Sequence, residues 1–117
     1  MCLNKKYELI WEGVISAGSL GEVLADTRPI LETALVHKAC FIALSHNHPS
    51  GDLTPSPEDE AAAQRIEAAA EAMGIGVADQ FILGRAALYS LRSRRVLLFS
   101  APDAVRDMTL EEYGRRS

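Results

Sequence analysis

The sequence predicts an α/β or α+β fold in which helices flank one mixed sheet, and two observations carry this prediction. The order along the chain is strand, helix, strand, helix and then further strands, which is typical of layered folds of these classes. A continuous apolar run over 40–44 has the length and composition of a strand buried on both faces. The 117 residues suffice for one core, so we expect one domain over 1–100 and a polar tail over 101–117.

The first part of the chain predicts a strand followed by a helix. Residues 7–16 mix large apolar and polar residues at strand length, and we expect Gly13 to interrupt this strand as a bulge or a point of close approach. Residues 18–21 predict a turn. Asp26 and Thr27 precede Pro29, as at many helix starts. The residues at helical spacing that we expect to face the core are Ile30, Leu31, Ala34 and Leu35.

A second helix, over 57–73, is predicted after the apolar strand and a polar loop. Ser56 is suited to the N-cap and Pro57 to the first helical position, and acidic residues fill the first turn, where the helix dipole favours them. Gly74 and Gly76 are expected to end the helix. The pattern then predicts strands over 77–83, 87–91 and 96–99, and a polar tail that can form a short helix.

Composition favours a protein without a membrane segment. No apolar run approaches the roughly 18 to 20 residues that span a bilayer, and the polar N-terminus lacks a signal-peptide core, so we expect a cytoplasmic protein. The net charge of -4 argues against general affinity for nucleic acid. Arg92, Arg94 and Arg95 are therefore interpreted as a solvated edge or turn, and Cys40 as a small buried residue.

The most informative residues are His46 and His48, at the end of the apolar strand. Separated by one residue in extended backbone, both can turn toward one point and offer imidazole nitrogens to a metal ion. Asp59, in the first turn of the second helix, can bring a carboxylate to the same point. Such a set leaves a coordination position open for water, which is typical of a catalytic zinc site. An isolated histidine pair is weak evidence, because loop histidines are commonly solvated.

The spacing of these residues resembles the JAMM metalloprotease motif, which reads His-x-His, seven residues, Ser, two residues, Asp. His46, His48, Ser56 and Asp59 meet that spacing without a gap. The longer form, in which Pro-Ser-Gly follows the histidines and Pro-Ser precedes the aspartate, is similar to the RadC branch of the JAMM/MPN family. This resemblance extends over nearly the whole chain to Leu91 and implies a three-layer, cytidine-deaminase-like fold.

The resemblance also implies a role for each residue. Ser56 would stabilise the tetrahedral oxyanion, and a glutamate on the first strand would move the proton of a zinc-activated water. Glu12 is the candidate for that glutamate, with Glu8 and Glu22 as alternatives; the competing interpretation of Glu12 is a surface residue. The residues that the resemblance assigns as ligands of Zn2+ are His46, His48 and Asp59.

Two departures from the family pattern affect these roles. The family's glutamate falls at the position of Gly13, so Glu12 stands one residue early, and a slip of one residue turns a strand side chain to the opposite face. A bulge at Gly13 would restore its direction. The family often has Asp-His in the later strand, where this chain has Asp79 and Gln80. Gln80 cannot transfer protons, but the zinc ligands are unaffected.

The function that the resemblance implies is a zinc-dependent hydrolase that cleaves a peptide or isopeptide bond in a peptide or protein substrate. The main alternative is a catalytically silent zinc-binding interaction domain, including one associated with DNA repair, and the position of Glu12 discriminates the two. A metal-dependent phosphodiesterase is disfavoured by the lack of a basic groove. The sequence does not predict the oligomeric state, and a homo-oligomer is among the alternatives.

Overall fold

The computed structural model describes residues 1–15, 27–48, 52–99 and 107–116. The predicted turn over 18–21, the helix-start residue Asp26 and the candidate Glu22 lie outside these residues. The helices are α1 (Arg28–Val36), α2 (Pro57–Ala72) and α3 (Leu110–Arg116). The strands are β1 (Cys2–Leu3), β2 (Leu9–Trp11), β3 (Phe41–Asn47), β4 (Gly76–Leu83), β5 (Ala87–Ser90), β6 (Arg95–Leu98) and β7 (Asp107–Met108).

The strands form a mixed sheet in the order β2-β1-β3-β4-β5-β6-β7. β1 pairs antiparallel with β2 and β3, and antiparallel pairs also join β4 to β5, β5 to β6 and β6 to β7. β3 and β4 run parallel, because Gly76 N donates to Cys40 O at their starts and His48 N donates to Leu83 O at their ends, each at 3.0 Å. A mixed sheet with helices confirms the predicted α/β (α+β) class.

The chain forms two compact units, and the division between them falls inside β3 and β4. The first unit comprises Met1–Leu44 and Ser56–Ala78, and the second comprises Ser45–Pro55 and Asp79–Ser117. The apolar core of the first unit contains Cys2, Ile30, Ala34, Ile42, Ala62, Ile66, Ala70, Ile75 and Val77. The core of the second contains Leu53, Ile82, Ala87, Tyr89, Val96 and Met108.

The N-terminal hairpin differs from the single strand predicted over 7–16. Asn4 initiates a turn, its Oδ1 accepting from the amides of Lys6 (2.9 Å) and Glu8 (3.0 Å), and Tyr7 adopts a left-handed φ of 62°. The chain therefore reverses before β2, and Val14, beyond the end of β2, is 85% exposed. A two-residue strand such as β1 has no periodicity that a sequence pattern could reveal.

A bulge was expected at Gly13, but it lies three residues earlier, at Ile10. Cys2 pairs with Trp11 but Leu3 pairs with Leu9, so Ile10 is the extra residue on β2. Gly13 is instead a point of close approach, as the alternative expectation had it. A Cβ built there would lie 2.7 Å from a ring carbon of Trp11.

The first helix is close to its predicted position. Pro29 lies in its first turn, Ile30 and Ala34 are buried, but Leu35 is exposed, contrary to prediction. Leu35 follows Ala34 by one residue, about 100° around the helix, and so leaves the core-facing stripe. At the C-terminal end, Nδ1 of His37 lies 2.8 Å from the carbonyl of Thr33, so this histidine caps the helix end.

The remaining elements match the predictions with small shifts. β4, β5 and β6 correspond to the three predicted strands, and the tail contains α3, while the short strand β7 was not predicted. Arg92 and Arg94 are exposed in the turn between β5 and β6, in agreement with their interpretation, whereas Arg95 is half-buried at the start of β6. Cys40 is only half-buried, whereas Cys2 is the buried cysteine. Among the described helices, none is long and apolar enough to cross a membrane.

Candidate metal centre

The histidine pair lies at the end of β3, which runs through His46 and so extends further than the predicted 40–44. Because alternate residues of a strand point to the same face, His46 and His48 lie side by side. Their ring centroids are 5.1 Å apart with an interplanar angle of 63°, an edge-on contact. Nε2 of His46 is shielded from solvent.

The carboxylate of Asp59 lies in the first turn of α2, where a capping box fixes it. Ser56 Oγ accepts from Asp59 N at 3.0 Å, and Asp59 Oδ2 accepts from Ser56 N at 2.9 Å. Pro57 occupies the first turn, as predicted. Asp59 is only 6% exposed, so the cap holds a buried negative charge at the positive end of the helix dipole.

One possible ligand atom from each of His46, His48 and Asp59 lies within 4.8 Å of the others. In a tetrahedral site with bonds of 2.0 to 2.1 Å, donor atoms are about 3.4 Å apart, which lies inside the 4.8 Å limit that contains these three atoms. Two imidazoles and a carboxylate are a donor set that zinc accepts. The residues present therefore fit a metal ion.

A hydrogen bond fixes the tautomer of His48. Its Nδ1 lies 2.8 Å from the backbone carbonyl of Asp52. A carbonyl oxygen can only accept, so Nδ1 must carry the proton, and Nε2 of the neutral ring is then the basic nitrogen that can bind a metal. Such an outer hydrogen bond is typical of metal-binding histidines.

Asp52 and Thr54 form a turn just beyond this contact. Asp52 Oδ1 accepts from Thr54 N at 2.9 Å, and this hydrogen bond is the main cause that lowers the pKa of Asp52 below its usual 3.8. The side chain of Asp52 therefore stabilises a turn, whereas its backbone carbonyl contacts His48. The contact of the carbonyl was not predictable from the sequence, because no residue pattern signals a backbone carbonyl contact.

The other candidate residues that the structure describes are not members of the histidine–aspartate cluster. Ser56 is adjacent to the cluster through its hydrogen bonds to Asp59. Glu12 is exposed, follows β2 directly and is not one of the three residues that form the cluster. Glu8 is also exposed, and its Oε1 accepts from Asn4 Nδ2 at 3.1 Å. The catalytic roles inferred for Glu12 and Ser56 stay predictions.

In the later strand, Asp79 has a structural role. Its carboxylate accepts from Ser90 Oγ at 2.6 Å and from the backbone amides of Gln80 at 2.7 Å and Arg92 at 3.2 Å. These bonds tie β4 to the turn after β5. Gln80 is buried. Asp79 thus stabilises the strand end and is not a member of the histidine–aspartate cluster.

Comparison with known proteins supports the resemblance. Residues 1–96 match the family model of the RadC-like JAB domain. The chain belongs to the RadC-like JAB domain family. The match includes every residue of the His46, His48 and Asp59 cluster.

Relatives of this RadC-like JAB domain occur in distant bacteria. A protein of Picosynechococcus sp. is 39% identical over 87% of the chain, one of Enterococcus faecalis is 42% identical over 77%, and one of Thermotoga maritima is 35% identical over 79%. All three carry the name UPF0758 protein. The chain spans 42%, 39% and 41% of the lengths of these relatives, respectively.

Proposed function

We propose that this RadC-like JAB domain is a zinc-dependent hydrolase that cleaves a peptide or isopeptide bond in a peptide or protein substrate. The observation that carries the proposal is the cluster of possible ligand atoms from His46, His48 and Asp59 within 4.8 Å. Three protein ligands of this type leave one coordination position open, as catalytic zinc sites require. The bond type comes from the broader JAMM resemblance, because a fold alone does not define a substrate.

The cluster residues supply the ligands in this proposal. When bound, zinc would activate a water molecule and polarise the scissile carbonyl. His48 offers Nε2, because Nδ1 donates to the Asp52 carbonyl. Asp59 has about four lone-pair sites, enough for its carboxylate to serve both the helix cap and a metal.

Ser56 is suited to support the oxyanion. Its Oγ accepts a hydrogen bond from Asp59 N, so its hydroxyl hydrogen can be directed to another acceptor. A preorganised donor of this kind stabilises negative charge that develops on the carbonyl oxygen. The capping box would thus hold Ser56 in place without using its proton.

Glu12 is the proposed proton carrier. β2 and β3 both run antiparallel to β1, and the register pairs Cys2 with both Trp11 and Ile42, so Glu12, which follows β2 directly, is level with the first half of β3. Glu12 would accept a proton from the attacking water and pass it to the leaving amine. Its exposed position also favours the alternative function, a zinc-binding interaction domain without catalysis.

Metal content and cleavage test the proposal separately. Elemental analysis of the purified protein should find about one zinc per chain in the native protein and in His37→Ala, a matched control because His37 lies at the end of α1. His48→Ala should lose the metal. Zinc retained in His48→Ala would refute the ligand assignment.

For catalysis, the probes are fluorogenic peptides and a pair of peptides joined through a lysine isopeptide bond. Glu12→Gln should keep zinc but lose cleavage by about 100-fold or more, as expected for removal of a general base. Glu71→Gln, an exposed glutamate of α2, is the control and should cleave normally. A native protein that binds zinc and cleaves neither probe supports the interaction domain instead.

A further inference from the structure

Leu53 is a buried apolar residue in a loop between the histidines and Asp59. It is 1% exposed, although its neighbours in sequence, Asp52 and Thr54, are polar. Its side chain belongs to the apolar core of the second unit, with Ile82, Ala87, Tyr89, Val96 and Met108. Burial of apolar surface is favourable, so this contact holds residues 52–54 in place.

Gly84 provides the space that Leu53 occupies. A Cβ built on Gly84 would lie 2.9 Å from Leu53 Cδ2 and 3.4 Å from the carbonyl oxygen of Ala87. The φ of Gly84 is not in the left-handed region, so the glycine is required for space and not for its backbone conformation. Any larger residue would displace Leu53 or the turn after β4.

Hydrogen bonds hold both the backbone and the imidazole ring of His48. Its backbone N donates to Leu83 O at 3.0 Å, and its Nδ1 donates to Asp52 O at 2.8 Å. Asp52 immediately precedes Leu53, and its Oδ1 accepts from Thr54 N, which closes a turn around the leucine. The carbonyl that sets the His48 tautomer is therefore covalently adjacent to a buried anchor.

We infer that Leu53 is a positioning residue for the metal site: by docking in the core beside Gly84, it places the Asp52 carbonyl that fixes the His48 ring. This inference rests on the proposed metal site. A histidine held in one tautomer and orientation loses less conformational freedom when a metal binds, so zinc affinity depends on a side chain that touches no metal.

Zinc affinity, measured by competition with a chromophoric chelator, tests this role. Leu53→Ala should raise the zinc Kd by about 10-fold or more, the effect typical of losing an outer contact of a ligand. Val96→Ala, which removes methyl groups from the same core in β6, is the matched control, and its Kd should stay within about 3-fold of native. Leu53→Met, which conserves volume, should restore native affinity.

Long-range 1H–15N NMR spectra of the metal-free protein give a readout independent of metal and activity. Native protein and Val96→Ala should show His48 protonated on Nδ1, whereas Leu53→Ala should show a mixture of tautomers. If Leu53→Ala does not fold, Gly84→Ala provides the same test, because its methyl group would displace Leu53.

The outcomes separate this inference from the proposed function. If the native protein binds no zinc, the proposed function fails. If the native protein binds zinc and His48→Ala does not, but Leu53→Ala or Gly84→Ala binds as tightly as Val96→Ala, the positioning role of Leu53 is wrong while the metal site stands. Equal tautomer populations in all variants would also contradict it.

Discussion

Asp59 has two functions that a single substitution can separate. Its carboxylate closes the capping box of α2, and it is also a possible ligand beside His46 and His48. Asn keeps a side-chain oxygen that can accept from Ser56 N but removes the negative charge that a zinc ion requires. Asp59→Asn should therefore lose zinc, measured by elemental analysis, while the stability of the metal-free protein in urea changes little.

Ser56→Ala should lower stability but keep zinc, the reverse of the result expected for Asp59→Asn. It removes the Oγ that accepts from Asp59 N, and loss of an N-cap side chain costs about 1 kcal/mol of unfolding free energy. Zinc content should stay at the native level, because Ser56 is not a ligand. If Ser56→Ala has the native free energy of unfolding, the capping box does not stabilise α2.

The two cysteines should differ in reactivity. Burial raises the pKa of the Cys2 thiol above its usual 9.0, whereas Cys40 is only half-buried. The thiolate is the reactive form, so iodoacetamide at mildly alkaline pH should label Cys40 first in the native protein, as mass spectrometry of peptides would show. Equal labelling rates in the native state would contradict the placement of Cys2 in the core.

The raised pKa of Cys2 also predicts how stability changes with pH. The unfolded chain loses its thiol proton at about pH 9, before the folded chain does, so the folded state is relatively destabilised as pH rises above that value. Cys2→Ala should show a smaller loss of unfolding free energy between neutral pH and pH of about 10 in urea titrations. An unchanged slope would show that Cys2 ionises equally in both states.

At the scale of elements, the sequence predicted those with long patterns or strong end signals. The strand β3 and the helix α2 follow from an apolar run and from Ser56, Pro57 and the acidic first turn. The hairpin β1–β2 and the strand β7 could not be predicted, because strands of two or three residues show no alternation. Their pairing depends on tertiary contacts instead.

The candidate site also has one part that the sequence predicted and another that it did not. The spacing of His46, His48 and Asp59 identified the residues that the structure brings together. The attachment of His48 through the Asp52 carbonyl and Leu53 was not predictable, because it depends on the path of a loop backbone. A leucine between polar residues was the only signal, and it is a weak one.

Two glycines should respond to alanine with opposite signs. Gly74 follows α2 with a left-handed φ of 75° and no atom within 4 Å of a built Cβ, so Gly74→Ala should cost about 1 kcal/mol through backbone strain alone. Gly114 lies inside α3, also with nothing within 4 Å. Gly114→Ala should stabilise by up to about 1 kcal/mol, and urea unfolding of both variants would check the signs.

At the scale of the whole molecule, metal binding and folding should be linked. The ligands come from the end of β3 and the start of α2, so they converge only in the folded chain. An ion that binds the folded state alone stabilises it by about 2.7 kcal/mol when its concentration is 100 times its Kd. For a chain of this size, that corresponds to a rise in Tm on the order of 10 °C.

Thermal unfolding with added zinc and with a chelator tests this linkage. The native protein should unfold at the higher temperature with zinc, whereas His48→Ala should unfold at the same temperature in both conditions. His37→Ala, which leaves the cluster intact, should respond like the native protein. A zinc-dependent rise in His48→Ala would mean that the ion stabilises the fold from another site, and the ligand set at the end of β3 would then be wrong.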